Sequence, residues 1–398
     1  MSLFNIIKNN SQKFSKKIAL IIGEKEFSYK EFFELILQTI KNLKKNNFQK
    51  GDTVLLIEDN NIEHILSLFA LSYINCTIVP SGTYYQKNHL TDIIKLTKVN
   101  AIIGNAENCH FFKKNLFIKK FLCTSLNKNF PFFFSKCKKK LNLKKKIDIK
   151  KNFIITFSSG STSQPKPIVY SQQTKIIRYR LFKKLYNINT KDIISVTSPI
   201  DHSLGMRTLY VPLLCGATCV VMHKFNVINY FELTKKYNVS FSVLIANQIY
   251  ELVKNKKLFK NFNLKKGLIS ASTKLFPSVK NSILKKKINL YEMYGAAEIG
   301  TVTSINLRKN KKFFKSVGKK YHKKIDIKII SNENKFLENS KIGEIVAKTP
   351  GKFKNYYKSK ILNNVSFYKG YFKTGDIGYL DKFNYLYFLS RKKNIYYR

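Results

Sequence analysis

Between residues 153 and 170 the chain reads FIITFSSGSTSQPKPIVY, an apolar run that enters a loop of small hydroxyl residues and leaves it past a lysine. The chemistry such a loop can do is anion binding. Ser158, Ser159, Gly160, Ser161, Thr162 and Ser163 carry little bulk, so backbone N–H groups can curl round phosphate oxygens while the hydroxyls donate further bonds. Lys166, between Pro165 and Pro167, adds a compact positive charge. An ordinary serine-rich turn with a solvated lysine fits the same composition, and composition alone leaves the two readings level. The G-x-x-x-x-G-K-[ST] phosphate loop is not satisfied.

The loop resembles the S-S-G-[ST]-T-G-x-P-K-G signature of the adenylate-forming (AMP-binding) superfamily, which holds the acyl-CoA synthetases, luciferases and peptide-synthetase adenylation domains. Eight of ten positions agree, with Ser163 and Pro167 standing where the family has glycine. Ser198-Pro-Ile-Asp-His202-Ser-Leu-Gly205 resembles the P-x-x-H-x-x-G segment of acyl-CoA synthetases, and the run LYEMYGAAEIG over 290–300 resembles their Y-G-x-[ST]-E motif. Gly343-Glu-Ile-Val, the YFKTGD that ends at Asp376 and the LSRKK around Arg391 resemble G-E-[IL], W-x-x-T-G-D and G-R-x-K-[DE]. The series follows family order over essentially the whole chain.

That resemblance implies an acyl-CoA synthetase-like acid–thiol ligase. A carboxylic acid, fatty or otherwise non-amino, would be activated with ATP and Mg²⁺ to acyl-AMP and passed to CoA or a phosphopantetheine thiol. It further implies nucleotide binding by Ser158, Ser159, Gly160, Ser161, Thr162, Lys166, Tyr294, Gly295, Asp376 and Arg391, catalytic parts for Glu298 and Lys166, Mg²⁺ on Glu298, and a substrate pocket beside His202 and Gly205. Competing readings stand beside these: Tyr294 as plain core, Glu298 as a surface glutamate, and Asp376 as an ordinary aspartate on an exposed turn after Thr374-Gly375. Ala297 replaces the family hydroxyl before the glutamate. Asp201 partly matches the F-D-x-S segment whose aspartate pairs with an amino group in peptide-synthetase domains, while His202-x-x-Gly205 is more like the acyl-CoA synthetases. The family's C-terminal lid domain is expected to be absent beyond Arg398, with a separate lid chain or a carrier protein as expected partners. The alternatives are a catalytically impaired nucleotide-binding module and an amino-acid adenylation domain that needs a partner lid.

The elements that must position these residues show in the hydrophobic pattern. Ser28 and Glu31 have capping-box spacing, and Phe32, Leu35, Ile36, Thr39, Ile40 and Leu43 follow at helical intervals. Short β-rich runs at 53–57, 77–79, 153–157, 193–197, 218–221 and 239–244 alternate with stretches long enough for crossover helices, such as 62–73. The expected fold is α/β: two helix-covered, largely parallel sheet subdomains, at about 1–150 and 151–295, plus a smaller β-rich, barrel-like part at about 296–389. Together these make an N-terminal core over 1–389, with 390–398 as a hinge stub. The lysine-rich segment 113–151, with PFFF at 131–134, reads as a surface excursion, or as a basic-aromatic patch touching a membrane.

Composition narrows the function. At 398 residues, 44% of them hydrophobic, the chain has enough apolar mass for more than one core. Its 73 Lys+Arg against 23 Asp+Glu give a net charge of +50, yet only six residues are arginine, the side chain that specific phosphate and base recognition favours. Compositional drift toward lysine, asparagine and isoleucine explains that charge better than a specific nucleic-acid footprint. Six cysteines without a C-x-x-C pair and six histidines off zinc spacing predict reduced, buried thiols. No secretory leader is evident, and the most apolar run, 65–80, is too short and polar to cross a bilayer, so a cytoplasmic enzyme is expected.

Overall fold

In the computed structural model, residues 1–138, 141–143, 146–157 and 166–392 are described. The chain folds into two compact units. One comprises Met1–Tyr179, Asn189–Lys191 and Val196–Lys224, and the other Arg180–Ile188, Asp192–Ser195 and Phe225–Arg398.

The first unit is built on a sheet whose strands run, in order, Pro167–Tyr170, Ile154–Phe157, Thr77–Ser81, Thr53–Ile57, Ala101–Gly104 and Lys120–Cys123. All neighbours pair in parallel except the first two. Strands such as TVLLI and AIIG are almost wholly apolar because parallel strands are covered on both faces. Elsewhere in this unit Ile18–Ile22 pairs in parallel with Thr218–Val221 and antiparallel with Lys25–Ser28. The capping box forms as the sequence predicts, with Glu31 N–H donating to Ser28 Oγ and Ser28 N–H to the Glu31 carboxylate, and it starts helix Tyr29–Lys45. That helix buries Phe32, Ile36, Ile40 and Leu43, and Phe32 meets Phe69 of helix Ile62–Ile74 edge to face. Phe69 in turn meets Tyr210 of helix Ser203–Cys215 in the same geometry.

The lysine-rich segment departs from its reading as a surface excursion. Lys120–Cys123 is a strand of the main sheet, and Phe133 of the PFFF run is buried, its carbonyl accepting from Asn42 Nδ2. Four residues flanked by lysines are too few to show a period, so the strand escapes a pattern search.

In the second unit one sheet orders Lys319–Lys320, Gly300–Asn306, Leu290–Ala296, Gly267–Ala271, Phe241–Ile245 and Ile193–Val196. From Leu290–Ala296 inward the pairing is parallel, and outward it is antiparallel. A separate antiparallel sheet runs Phe336–Leu337, Asp326–Ile330, Gly343–Lys348 and Tyr371–Leu380, the last of which also pairs with Phe367–Tyr368 and Leu386–Arg391. The α/β architecture with a closing β-rich part is as the alternation predicts. All six cysteines are free thiols, and only Cys137 is not buried.

Candidate active site

Most of the expected nucleotide residues of the second unit converge on one carboxylate. Asp376 lies within strand Tyr371–Leu380, directly across from Arg391 on Leu386–Arg391. This corrects the expectation of an exposed turn: Asp376 is 5% exposed, because Gly375, at φ +69°, bends the strand without ending it and turns the carboxylate inward. Asp376 N–H donates to Thr374 Oγ1, whose hydroxyl is itself held by the Ile345 carbonyl.

The two carboxylate oxygens have different surroundings. Oδ2 accepts from the Tyr294 hydroxyl at 2.7 Å. Oδ1 stands 3.1 Å from Arg391 Nη1, which sends its hydrogen bond to the Thr374 carbonyl instead, so Oδ1 is buried with no aligned donor among the described residues. Burial raises the Asp376 carboxyl above the usual carboxylate range, and the Tyr294 bond and the guanidinium charge only partly oppose this. Burial and the neighbouring charge push the Tyr294 phenol well up as well.

Tyr294 is buried and stacks on Phe388, and its hydroxyl serves Asp376. Next to it Gly295 sits at a bulge where a Cβ would come within 2.0 Å of the Gly300 carbonyl oxygen. Glu298 occupies the short connection between Leu290–Ala296 and Gly300–Asn306. It is 9% exposed rather than a surface glutamate, with Oε1 accepting from the Tyr356 hydroxyl at 2.8 Å and its backbone carbonyl from Phe353 N–H. Around this corner Glu344 accepts from Gly375 N–H and pairs with Lys392 at 3.0 Å.

In the first unit, Phe157 and Pro167 pair across the ends of two antiparallel strands, so the hydroxyl-rich loop joins a fixed hairpin stem. Ser158, Ser159, Gly160, Ser161 and Thr162 lie outside the described residues; Lys166, the first described residue after them, is half-buried. His202 precedes helix Ser203–Cys215, and its Nε2 lies 3.0 Å from the Tyr84 hydroxyl. Tyr84 also donates to Asp201 Oδ2 at 2.5 Å, the same oxygen that accepts from Gly82 N–H. Asp201 is buried, its carboxylate already engaged by a hydroxyl and a backbone N–H. Gly205 has a packing reason to be glycine, since a Cβ there would fall 2.1 Å from the Pro199 carbonyl oxygen. Tyr84 is the residue that sequence reasoning missed: 117 positions separate it from Asp201, and no motif links them.

Among the described residues no cluster of three or more His, Cys, Asp or Glu is placed to hold a metal. A single hard-oxygen ligand such as Glu298 suits an ion that arrives already bound to phosphates, as Mg²⁺ does, and does not suit a protein-caged metal. Among the described residues no helix is long and apolar enough to cross a membrane.

The chain is 23% identical over 92% of its length to 2-succinylbenzoate–CoA ligase of Oceanobacillus iheyensis, covering 74% of that protein. It is likewise 23% identical over 96% of its length to 4-coumarate–CoA ligase 3 of Arabidopsis thaliana, covering 72%. Its fold matches that of the O-succinylbenzoate coenzyme A synthetase of Bacillus subtilis, solved in complex with ATP and magnesium ion, with a TM-score of 0.88 at 18% identity over 98% of this chain and 80% of the other. With residues 7–357 matching its family description, the chain belongs to the AMP-binding enzymes.

Proposed function

We propose that the protein is an ATP-dependent acid–thiol ligase that activates an aryl, fatty or other non-amino carboxylic acid as its acyl-adenylate and delivers it to CoA. The acid's carboxylate oxygen bonds to the α-phosphorus of ATP as the bond to pyrophosphate breaks. A thiol then bonds to the acyl carbon, its proton passes to solvent, and AMP leaves. Both steps need positioning and neutralisation of charge, and neither needs an enzyme nucleophile.

In this reading the 158–166 segment and Lys166 take phosphate oxygens, Asp376 and Arg391 take the ribose, Tyr294 and Gly295 border the base, and His202 stands beside the acyl group. Glu298 would hold Mg²⁺, which neutralises phosphate charge when bound. The observation that carries the reading is Asp376 Oδ1, a buried carboxylate oxygen with no aligned donor among the described residues, which a ribose hydroxyl can satisfy. The non-amino assignment is supported by Asp201, whose Oδ2 already accepts from both Tyr84 and Gly82.

The test is to incubate the purified protein with ATP, Mg²⁺ and a panel of aryl, fatty and amino acids. Pyrophosphate release and hydroxamate trapping with an aryl or fatty acid, followed by acyl-CoA when CoA is added, are the expected results. Release with amino acids alone would overturn the acid class, and release with none of them would leave ATP binding without ligation.

A further inference from the structure

The first unit holds a second polar site that the adenylation reading does not use. Two of the six arginines, Arg178 and Arg207, and the buried Lys175 line one small recess. Lys175 and Arg178 are three apart on helix Gln172–Leu185, while Ser203, Arg207 and Tyr210 recur at three- and four-residue intervals on helix Ser203–Cys215, so each helix turns one face to the recess. The Tyr179 hydroxyl donates to the Leu214 carbonyl and ties the two helices together.

The lining is built for a negative charge and supplies none itself. No acidic residue is among those that line it. Tyr210 and Ser203 Oγ are buried, and neither hydroxyl has a hydrogen-bond partner among the described residues. Lys175 is 5% exposed, with Nζ 3.8 Å from the centroid of the Tyr170 ring, over which Arg178 also sits at 4.9 Å. Leaving buried hydroxyls unpaired costs free energy, as does crowding cations in low dielectric, and the fold retains both.

We propose that this recess is a binding site for one oxyanion group, a phosphate or a carboxylate, gripped by Lys175, Arg178 and Arg207 and hydrogen-bonded by Tyr210 and Ser203. The enclosed space admits little more than one water-sized group, so a single oxygen of the anion enters it and a nucleotide does not. Burial, and then Arg178 and Arg207, hold the Lys175 amine well below the usual lysine range, and an arriving anion would relieve that strain. The proposal does not depend on the adenylation reading, because its test involves neither ATP nor turnover.

The experiment is calorimetric titration of the whole protein with inorganic phosphate, acetate and succinate at constant ionic strength set by chloride, alongside thermal unfolding. At least one oxyanion is expected to bind more tightly than chloride; a preference for phosphate assigns a phosphate-bearing ligand, and a preference for succinate a carboxylate. Arg207→Gln and Lys175→Met should each weaken that binding tenfold or more. Tyr210→Phe should weaken it by about threefold while raising the unfolding temperature of the ligand-free protein, since it removes an unpaired buried hydroxyl without changing shape. No binding beyond chloride overturns the proposal, as does binding that all three variants leave unchanged or a Tyr210→Phe protein that is destabilised when free.

Discussion

Asp376 and Asp201 are two buried carboxylates that both accept a hydrogen bond from a tyrosine hydroxyl, yet they are prepared for different ends. At Asp201 one oxygen collects Tyr84 and the Gly82 N–H, and the carboxylate pins a loop. At Asp376 one oxygen is satisfied by Tyr294, and the other faces a guanidinium whose hydrogen bond goes elsewhere. A buried carboxylate oxygen with no aligned donor is a place for a ligand, and one that collects two donors is part of the scaffold. The functional group is the same in both; the number of aligned donors separates them.

The largest effect that would test this contrast is on ATP affinity. Asp376→Ala should weaken ATP binding about tenfold to a hundredfold, from the loss of about 1.5–3 kcal/mol of charged hydrogen bonding, whereas Asp201→Ala should leave it within about twofold. Calorimetric titration of both variants decides the point, and equal losses would erase the distinction.

Next in size is stability. Asp201→Ala strands the Gly82 N–H and should lower unfolding stability by about 1–3 kcal/mol in a denaturant titration. Asp376→Ala strands Tyr294 and should also destabilise, so Asp376 is not the neutral turn position that its sequence context implied.

A pH series sharpens the comparison further. Because burial raises the Asp376 carboxyl in the folded state, the native protein holds that proton more tightly than the unfolded chain. Its contribution to stability is therefore greatest below the unfolded value of about 4 and falls as pH rises through the folded value. Asp376→Asn should flatten that part of the profile, and ATP affinity in the native protein should drop on acidification over the same window. The smallest effect is expected at Arg391→Lys. The Arg391 side chain is 61% exposed, so the change should cost less than about 1 kcal/mol and about threefold in ATP affinity.

How much of this was legible beforehand depends on the range of the interaction. The capping box at Ser28 and Glu31, the helix behind it and the apolar parallel strands are local patterns, and all form where the spacing puts them. Motif order brought Tyr294, Asp376 and Arg391 together, and the structure joins them within one unit. What one-dimensional reading lacked was depth: Asp376 looked like a turn residue because Thr-Gly-Asp is turn chemistry, and only strand pairing on both sides shows that it is buried. Tyr84 gave no signal because its partners are set by loop packing. The recess at Lys175 left one trace, the scarcity of arginine, which makes each retained guanidinium informative.

The cysteines noted with the fold have a practical consequence. The thiolate is the reactive form, and burial seals five thiols while pushing Cys109 and Cys219 up out of the thiolate range. A maleimide added to the native protein should therefore attach at Cys137 alone and label all six positions only after global opening. Counting adducts by intact mass turns the thiols into a gauge of unfolding, and a dye at Cys137 becomes a reporter fixed in the lysine-rich segment without any engineered cysteine.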